Sequence, residues 1–360
     1  VRVQAVQQGG LAGLVENPDG LLPGVVVEPG GVAGAWREAA AGQVLAKGIE
    51  WYEPEERRFP VPLVLVHGGG GQGLDYLTTP DGRPGWAPLL VDQGYAVYVV
   101  DRPGHGRSPH HPDVLGPMSP VLGAEFLRPI FVPPAEGPGS HPTAHLHTQW
   151  PGNRELDDPV FDQLLASSGP LLASQPDMHA LEQARLAALL DRIGPAVIVA
   201  HSAGGPGAFL AADARPHLVK AFVALEVLGP PFLKMPETGL DLAWGLAAAP
   251  LTFDPPAVSA GELRLVTHEP PADGGIPMTL QEEPARRLAN LSQFPIAVVS
   301  APASPFVHFD GHLVAFLKQA GCDVELVRLA DHGVHGNGHG MIIEKNNADA
   351  LRVVTDWIAG

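Results

Sequence analysis

Six short apolar runs punctuate the chain: Val61–Val66, Tyr95–Val100, 196–200, Val219–Leu225, Pro295–Val299 and Val324–Leu329. Val61–Val66 and Tyr95–Val100 are continuously apolar, as expected of strands buried on both faces. Between them lie stretches of helical period. One runs from Trp86 to Gln93 and is closed by Gly94. Another, about Met178–Ile193, carries Leu186, Leu189, Leu190 and Ile193 on one face and stops at Gly194-Pro195. Further helices are expected after Ser202, with Pro206 tolerated in the first turn, near 310–320, and from about Met341 to Ala359 with Leu351, Val354 and Ile358 facing inward. Strand and helix in alternation predict an α/β fold, a mostly parallel sheet flanked by helices.

Residues 1–60 are Gly-rich, then strand-like around Gln43–Tyr52, and are expected to supply edge strands. Two segments break the rhythm. Prolines and histidines crowd 109–176, and 228–292 is Pro-rich with helical stretches expected near 240–248 and 281–291. No linker divides the core and no repeat is visible. Residues 1–360 therefore read as one domain whose two insertions, about 109–176 and 228–292, are expected to fold together as a cap.

Composition narrows the class. Hydrophobic residues make up 45 % of the chain, enough for a large core, yet no apolar run approaches the roughly 18 residues of a membrane span. With Lys+Arg 22 against Asp+Glu 39, the net charge of −17 disfavours binding to nucleic acid. The single cysteine, Cys322, excludes an intrachain disulfide and reads as a buried thiol. The sequence shows no signal peptide and leaves export and a cytoplasmic location both open. It also leaves the oligomeric state open, a homodimer included.

The chemistry begins at Val197-Ile198-Val199-Ala200-His201-Ser202-Ala203-Gly204-Gly205. A buried strand runs into a serine followed by small residues, the form of a nucleophile elbow, here A-x-S-x-G with alanine where glycine is usual. A nucleophilic serine needs a base, a group that orients the base, and donors for an oxyanion. All should gather at the C-terminal edge of the parallel strands. His332, His335 and His339 follow the last strand as possible bases. Their spacing also suits zinc, but they lie among glycines rather than on a regular helix, and no metal is expected. For the acid, Glu226 ends an apolar strand, where a carboxylate is costly without a partner. Asp310 is the alternative, with an N-cap as its plainer role. His67-Gly68-Gly69-Gly70-Gly71 lets backbone amides approach a ligand closely. It lacks the Lys-Ser/Thr of a P-loop and the spacing of a dinucleotide fingerprint.

With strand-H-G-G-G-G, strand-D-R-P-G-H-G-R-S-P, the elbow and a His-bearing C-terminal loop in that order, residues 50–360 resemble an α/β-hydrolase of the bacterial carboxylesterase type. The similarity is greatest to a branch whose acid is a glutamate directly after the strand that follows the elbow. Thr148-Gln149-Trp150-Pro151-Gly152, Asp158–Gln163, and Gly336-Asn337-Gly338-His339 with Glu344-Lys345-Asn346-Asn347 also resemble that branch. The resemblance implies Ser202 as nucleophile, His339 as base and Glu226 as orienting acid. Ser304 stands roughly where most of the superfamily carries an aspartate. Gly69 and Ala203 become the oxyanion donors, with Gly70 as an alternative. Trp150, Trp244 and Phe306 become pocket candidates. The implied activity is cofactor-free hydrolysis of carboxylic esters, small or polymeric. A lactonase, amidase or acyltransferase would use the same triad, and a non-catalytic binding protein would use the same scaffold. Serine at the elbow disfavours epoxide hydrolase and dehalogenase chemistry.

Overall fold

A computed structural model describes residues 2–4, 48–108, 110–236, 238–270 and 276–360. The strands are β1 (Arg2–Gln4), β2 (Ile49–Glu53), β3 (Leu63–Val66), β4 (Val97–Val100), β5 (Ala196–His201), β6 (Val219–Leu225), β7 (Lys234–Met235), β8 (Leu240–Asp241), β9 (Leu265–His268), β10 (Met278–Gln281), β11 (Ile296–Ser300) and β12 (Val324–Arg328). Eight of them form one sheet in the order β1-β2-β4-β3-β5-β6-β11-β12. From β4 to β12 every pairing is parallel, while β2 and β1 add an antiparallel edge. The expected strand around Gln43–Tyr52 is present as β2; residues 43–47 lie outside the described residues.

The helices are α1 (Leu74–Leu77), α2 (Trp86–Gln93), α3 (Pro112–Leu115), α4 (Ala124–Phe131), α5 (Pro159–Ser167), α6 (Gln175–Ile193), α7 (Gly205–Ala214), α8 (Val307–Gln319) and α9 (Asn347–Ala359). They cover both faces of the sheet. Val64, Val66, Ile198 and Ala200 pack with α6, α7 and α8 on one face. Leu63, Leu65, Val197 and Val199 pack with α2 and α9 on the other. Alternate strand residues point to opposite faces, so strands this apolar need a layer on each. Each fully buried Leu, Val or Ile stabilises the fold by about 1.5–3 kcal/mol.

The insertions contribute to opposite cores. Leu127, Val132, Trp150, Val160 and Phe161 of 109–176 join the face with α2 and α9. Trp244, Leu246, Phe253, Leu288 and Leu291 of 228–292 join the face with α6 to α8. The helices expected near 240–248 and 281–291 do not form. Gly245 takes a left-handed φ of 87°, and a Cβ there would lie 2.6 Å from the Phe316 ring. Near 281–291 the backbone of Arg287 exchanges hydrogen bonds with Asp254, and the Gln281 side chain occupies the backbone of Arg286. The last helix begins at Asn347 rather than Met341. Over 341–346 the backbone makes turns instead: Ile343 and Glu344 N–H both donate to Gly340 O, and Lys345 N–H donates to Gln149 O rather than back along a helix.

One feature of the topology prepares the site. The chain leaves β3 for β4 on one side and later returns to place β5 on the other. Loops after β3 and β5 therefore diverge at a topological switch point, where open α/β sheets form their crevices. The strands also end nearly flush, with Val66 opposite Ala200, His201 opposite Leu225, and Leu225 opposite Val299. The residues that follow all emerge at one edge.

Candidate active site

Ser202 follows β5 directly and takes a φ of 51°. A non-glycine residue in this region costs on the order of 1–3 kcal/mol, which the surrounding packing must offset. The turn tolerates it because its neighbours are small. A Cβ on Gly204 would collide with the His67 carbonyl, and one on Gly205 would lie 2.5 Å from Val227 Cβ. Ala200 is fully buried between Val66 and Ala224, so the alanine in the motif is accommodated by small or slender neighbours.

The three competing histidines separate by burial. His332 and His335 are exposed, whereas His339 is 1 % exposed. Its Nε2 lies 3.0 Å from Ser202 Oγ and its Nδ1 2.9 Å from Glu226 Oε2. Phe306 stacks on the imidazole with ring centres 4.1 Å apart, and Phe131 and His201 lie at 5.4 and 4.7 Å. His201 Nε2–H donates to the His339 carbonyl at 3.0 Å, tying the loop that carries His339 to the turn at Ser202.

Glu226, at φ 42°, turns its side chain into the fully buried space beyond β6. Oε1 accepts from Ala301 N–H at 2.8 Å, and Oε2 accepts from Ser304 Oγ–H at 2.6 Å as well as from His339 Nδ1–H. Burial pushes the carboxyl above its ordinary range, against the lowering effect of Ser304 and Ala301. The contacts come from donors, an arrangement suited to a carboxylate. Burial pushes His339 down to about 3, with the Glu344 carboxylate pulling the other way. The imidazole is thus neutral at rest, with its proton on Nδ1 and Nε2 free to accept. Asp310 is also buried, on α8, but it bonds Ser300, and burial with the Glu226 charge raises it well above the carboxylate range.

The glycine loop meets the elbow. A Cβ on Gly69 would sit 3.2 Å from Ala203 Cβ, so the two residues face each other. The Gly69 N–H has no partner among the described residues, and Ala203 lies in the first turn after the strand, before intrahelical acceptors become available. Gly70, at φ 69°, is instead held by Gly169 N–H, which donates to its carbonyl at 2.7 Å. The loop is anchored from behind. His67 Nδ1–H donates to Gly68 O at 2.8 Å, and Arg102 Nη1–H reaches the same oxygen at 2.9 Å. Arg102 in turn pairs with Glu182 at 2.7 Å, both side chains 2 % exposed or less.

Several supports carried no local signal. Glu344 is fully buried and accepts from Asn337 Nδ2 at 2.9 Å, from Gly338 N–H at 3.0 Å, and from His147 Nε2–H at 2.8 Å. It clamps the loop that ends in His339. Thr148 and Gln149 donate their N–H groups to the Gly336 carbonyl, and Lys345 N–H donates to Gln149 O. Two segments that resemble the same branch, far apart in sequence, therefore meet here. Of the pocket candidates, only Phe306 touches the triad. Trp150 is buried and donates to Asp158 at 2.7 Å, inside the core. Trp244 lies in the core on the opposite face, against Phe253.

A serine, an imidazole and a carboxylate in hydrogen-bonded series, beside a glycine loop that packs against the turn after the serine, can carry out acyl transfer. The family model described as the alpha/beta hydrolase fold matches residues 61–257, and the chain belongs to that family. It is a hydrolase with the α/β-hydrolase fold. Among curated proteins, the "Probable secreted lipase phiG" of Fungal sp. (strain ATCC 74256) is 41 % identical over 312 residues, 86 % of this chain and 85 % of that protein. Among solved structures, one described as a novel bacterial esterase aligns with a TM-score of 0.58 at 21 % identity, covering 86 % of this chain and 84 % of its own, a likeness of fold. No helix among the described residues is long and apolar enough to cross a membrane.

Proposed function

We propose that the protein is a serine carboxylesterase that works through an acyl-enzyme. The observation that carries this reading is the continuous series Ser202 Oγ, His339, Glu226, joined at 3.0 and 2.9 Å. Ser202 Oγ attacks the ester carbonyl carbon while its proton passes to His339 Nε2. The imidazolium that forms is stabilised by Glu226, and the oxyanion accepts from the N–H groups of Gly69 and Ala203. Collapse of the tetrahedral intermediate breaks the C–O bond, and His339 returns the proton to the leaving alcohol. Water then attacks the acyl-enzyme with the same proton route, releasing the acid and restoring the serine.

In this reading the segment 109–176 forms the cap. Leu122 and Ser168 stand beside Gly70, and Phe131 stands beside the base, so the substrate would meet an apolar wall. The name of the fungal relative extends the proposal to lipid-like carboxylic esters and to export of the protein. The test is labelling with a fluorophosphonate together with turnover of p-nitrophenyl esters. Wild type should label at Ser202, and Ser202→Ala should neither label nor retain more than about 10⁻³ of the wild-type kcat. Labelling elsewhere, or near-normal turnover by the alanine variant, refutes the proposal.

A further inference from the structure

We infer that Ser304 is a positioning residue of the reaction, holding the Glu226 carboxylate in the one rotation that serves His339; this rests on the esterase reading above. Ser304 lies in the loop after β11 and is fully buried. Its Oγ accepts from Phe306 N–H at 3.0 Å, which leaves the hydroxyl hydrogen for Glu226 Oε2 at 2.6 Å. That is the same oxygen that His339 Nδ1–H meets at 2.9 Å. The other oxygen is held by Ala301 N–H at 2.8 Å. Turning the carboxylate away from the imidazole would break the serine bond as well.

The setting makes this donor consequential. No Lys or Arg side chain bonds Glu226 among the described residues, and the Glu344 carboxylate raises the cost of its charge. The negative form depends on uncharged donors, and Ser304 supplies the only side-chain hydroxyl among them. The same loop also grips the base. Phe306 stacks on His339, Ala303 N–H donates to Asn337 O at 2.8 Å, and Thr143 Oγ1–H donates to the Ser304 carbonyl at 3.0 Å. An uncharged residue at the position where an aspartate is common thus acts through the glutamate rather than in place of it.

The test is Ser304→Ala, Ser304→Gly and Ser304→Thr, assayed as kcat, KM and the pH profile of kcat/KM on a p-nitrophenyl ester. Losing one hydrogen bond to a charged group should lower kcat about 10- to 100-fold in the alanine and glycine variants, with KM within about twofold. The acidic limb, which reports protonation of His339, should move to higher pH, because a carboxylate short of one donor places more of its charge on the imidazole at 2.9 Å and stabilises the imidazolium. Asp310, Glu344 and His201 face the pair, with Arg328 beside Asp310, and all are unchanged in these variants. Ser304→Thr keeps the hydroxyl and should retain both the rate and the position of the limb. Wild-type kcat in the alanine or glycine variant overturns the inference. So does a loss of rate with an unmoved limb, or a threonine enzyme as impaired as the alanine one. Ser202→Ala, measured alongside, separates the two claims: if it is inactive while Ser304→Ala is normal, only the role of Ser304 fails.

Discussion

Replacing Glu226 by glutamine keeps the shape of the side chain and changes only its donor and acceptor pattern. In the native site three donors converge on two oxygens: Ala301 N–H on Oε1, and Ser304 Oγ–H and His339 Nδ1–H on Oε2. A glutamine has two orientations. With its NH₂ toward Ala301, two donors face each other at a spacing near 2.8 Å, and the backbone amide has no way to change role. Leaving such a buried group unsatisfied costs about 1–3 kcal/mol. With the NH₂ toward His339, Ser304 can rotate its hydroxyl, but the imidazole must move its proton from Nδ1 to Nε2. Nε2–H then faces Ser202 Oγ and no longer accepts its proton. The second orientation is the cheaper one, and it selects the inactive tautomer. The expected loss is about 10³- to 10⁴-fold in kcat, or roughly 4–5.5 kcal/mol of transition-state stabilisation at about 1.36 kcal/mol per decade. The assay is steady-state hydrolysis of a p-nitrophenyl ester with the rate of fluorophosphonate labelling, which should fall in parallel because it needs the same base. The melting temperature should change little. Glu226→Gln activity within tenfold of wild type, or an Asp310→Asn variant more damaged than Glu226→Gln, would refute the reasoning.

Other outcomes follow from the same geometry. Arg102→Met should destabilise the protein by about 3–5 kcal/mol in urea unfolding, because it strands the buried Glu182 carboxylate, and pairing it with Glu182→Leu should recover much of that loss. Burial lowers the His339 pKa while the Glu226 carboxylate at 2.9 Å opposes it; with burial the larger effect, the midpoint of the acidic limb of kcat/KM should lie below 6.5, and a midpoint at or above 6.5 would contradict the burial argument. His332→Ala and His335→Ala should leave kcat within about twofold, since both side chains are exposed, as steady-state rates will show.

Much of the site was legible before folding was considered, because some features are local. The elbow is a contiguous string, and a carboxylate ending the apolar run Val219–Leu225 announces a buried partner by its cost alone. The buried strands declare themselves by unbroken hydrophobicity, and their order predicts the sheet. The choice among His332, His335 and His339 was not local; it followed from which one the loop turned inward. Arg102 read as a residue that holds loops in place, and it anchors the glycine loop; Glu344 gave no sign of its clamp, since a charged residue reads as solvent-exposed until its partners, which lie far along the chain, are known.

Residue pattern alone therefore determined the α/β architecture, the serine at its sharp turn and the carboxylate at its strand end, each being set by near neighbours. Tertiary structure decided the rest: the Oε2 contact of Ser304, the clamp of Glu344 on the His339 loop, the division of the two insertions between opposite faces, and the withdrawal of Trp150 and Trp244 into the cores. Hydrogen bonds and van der Waals contacts act over a few ångströms, and only the folded chain brings residues more than a hundred positions apart within that range.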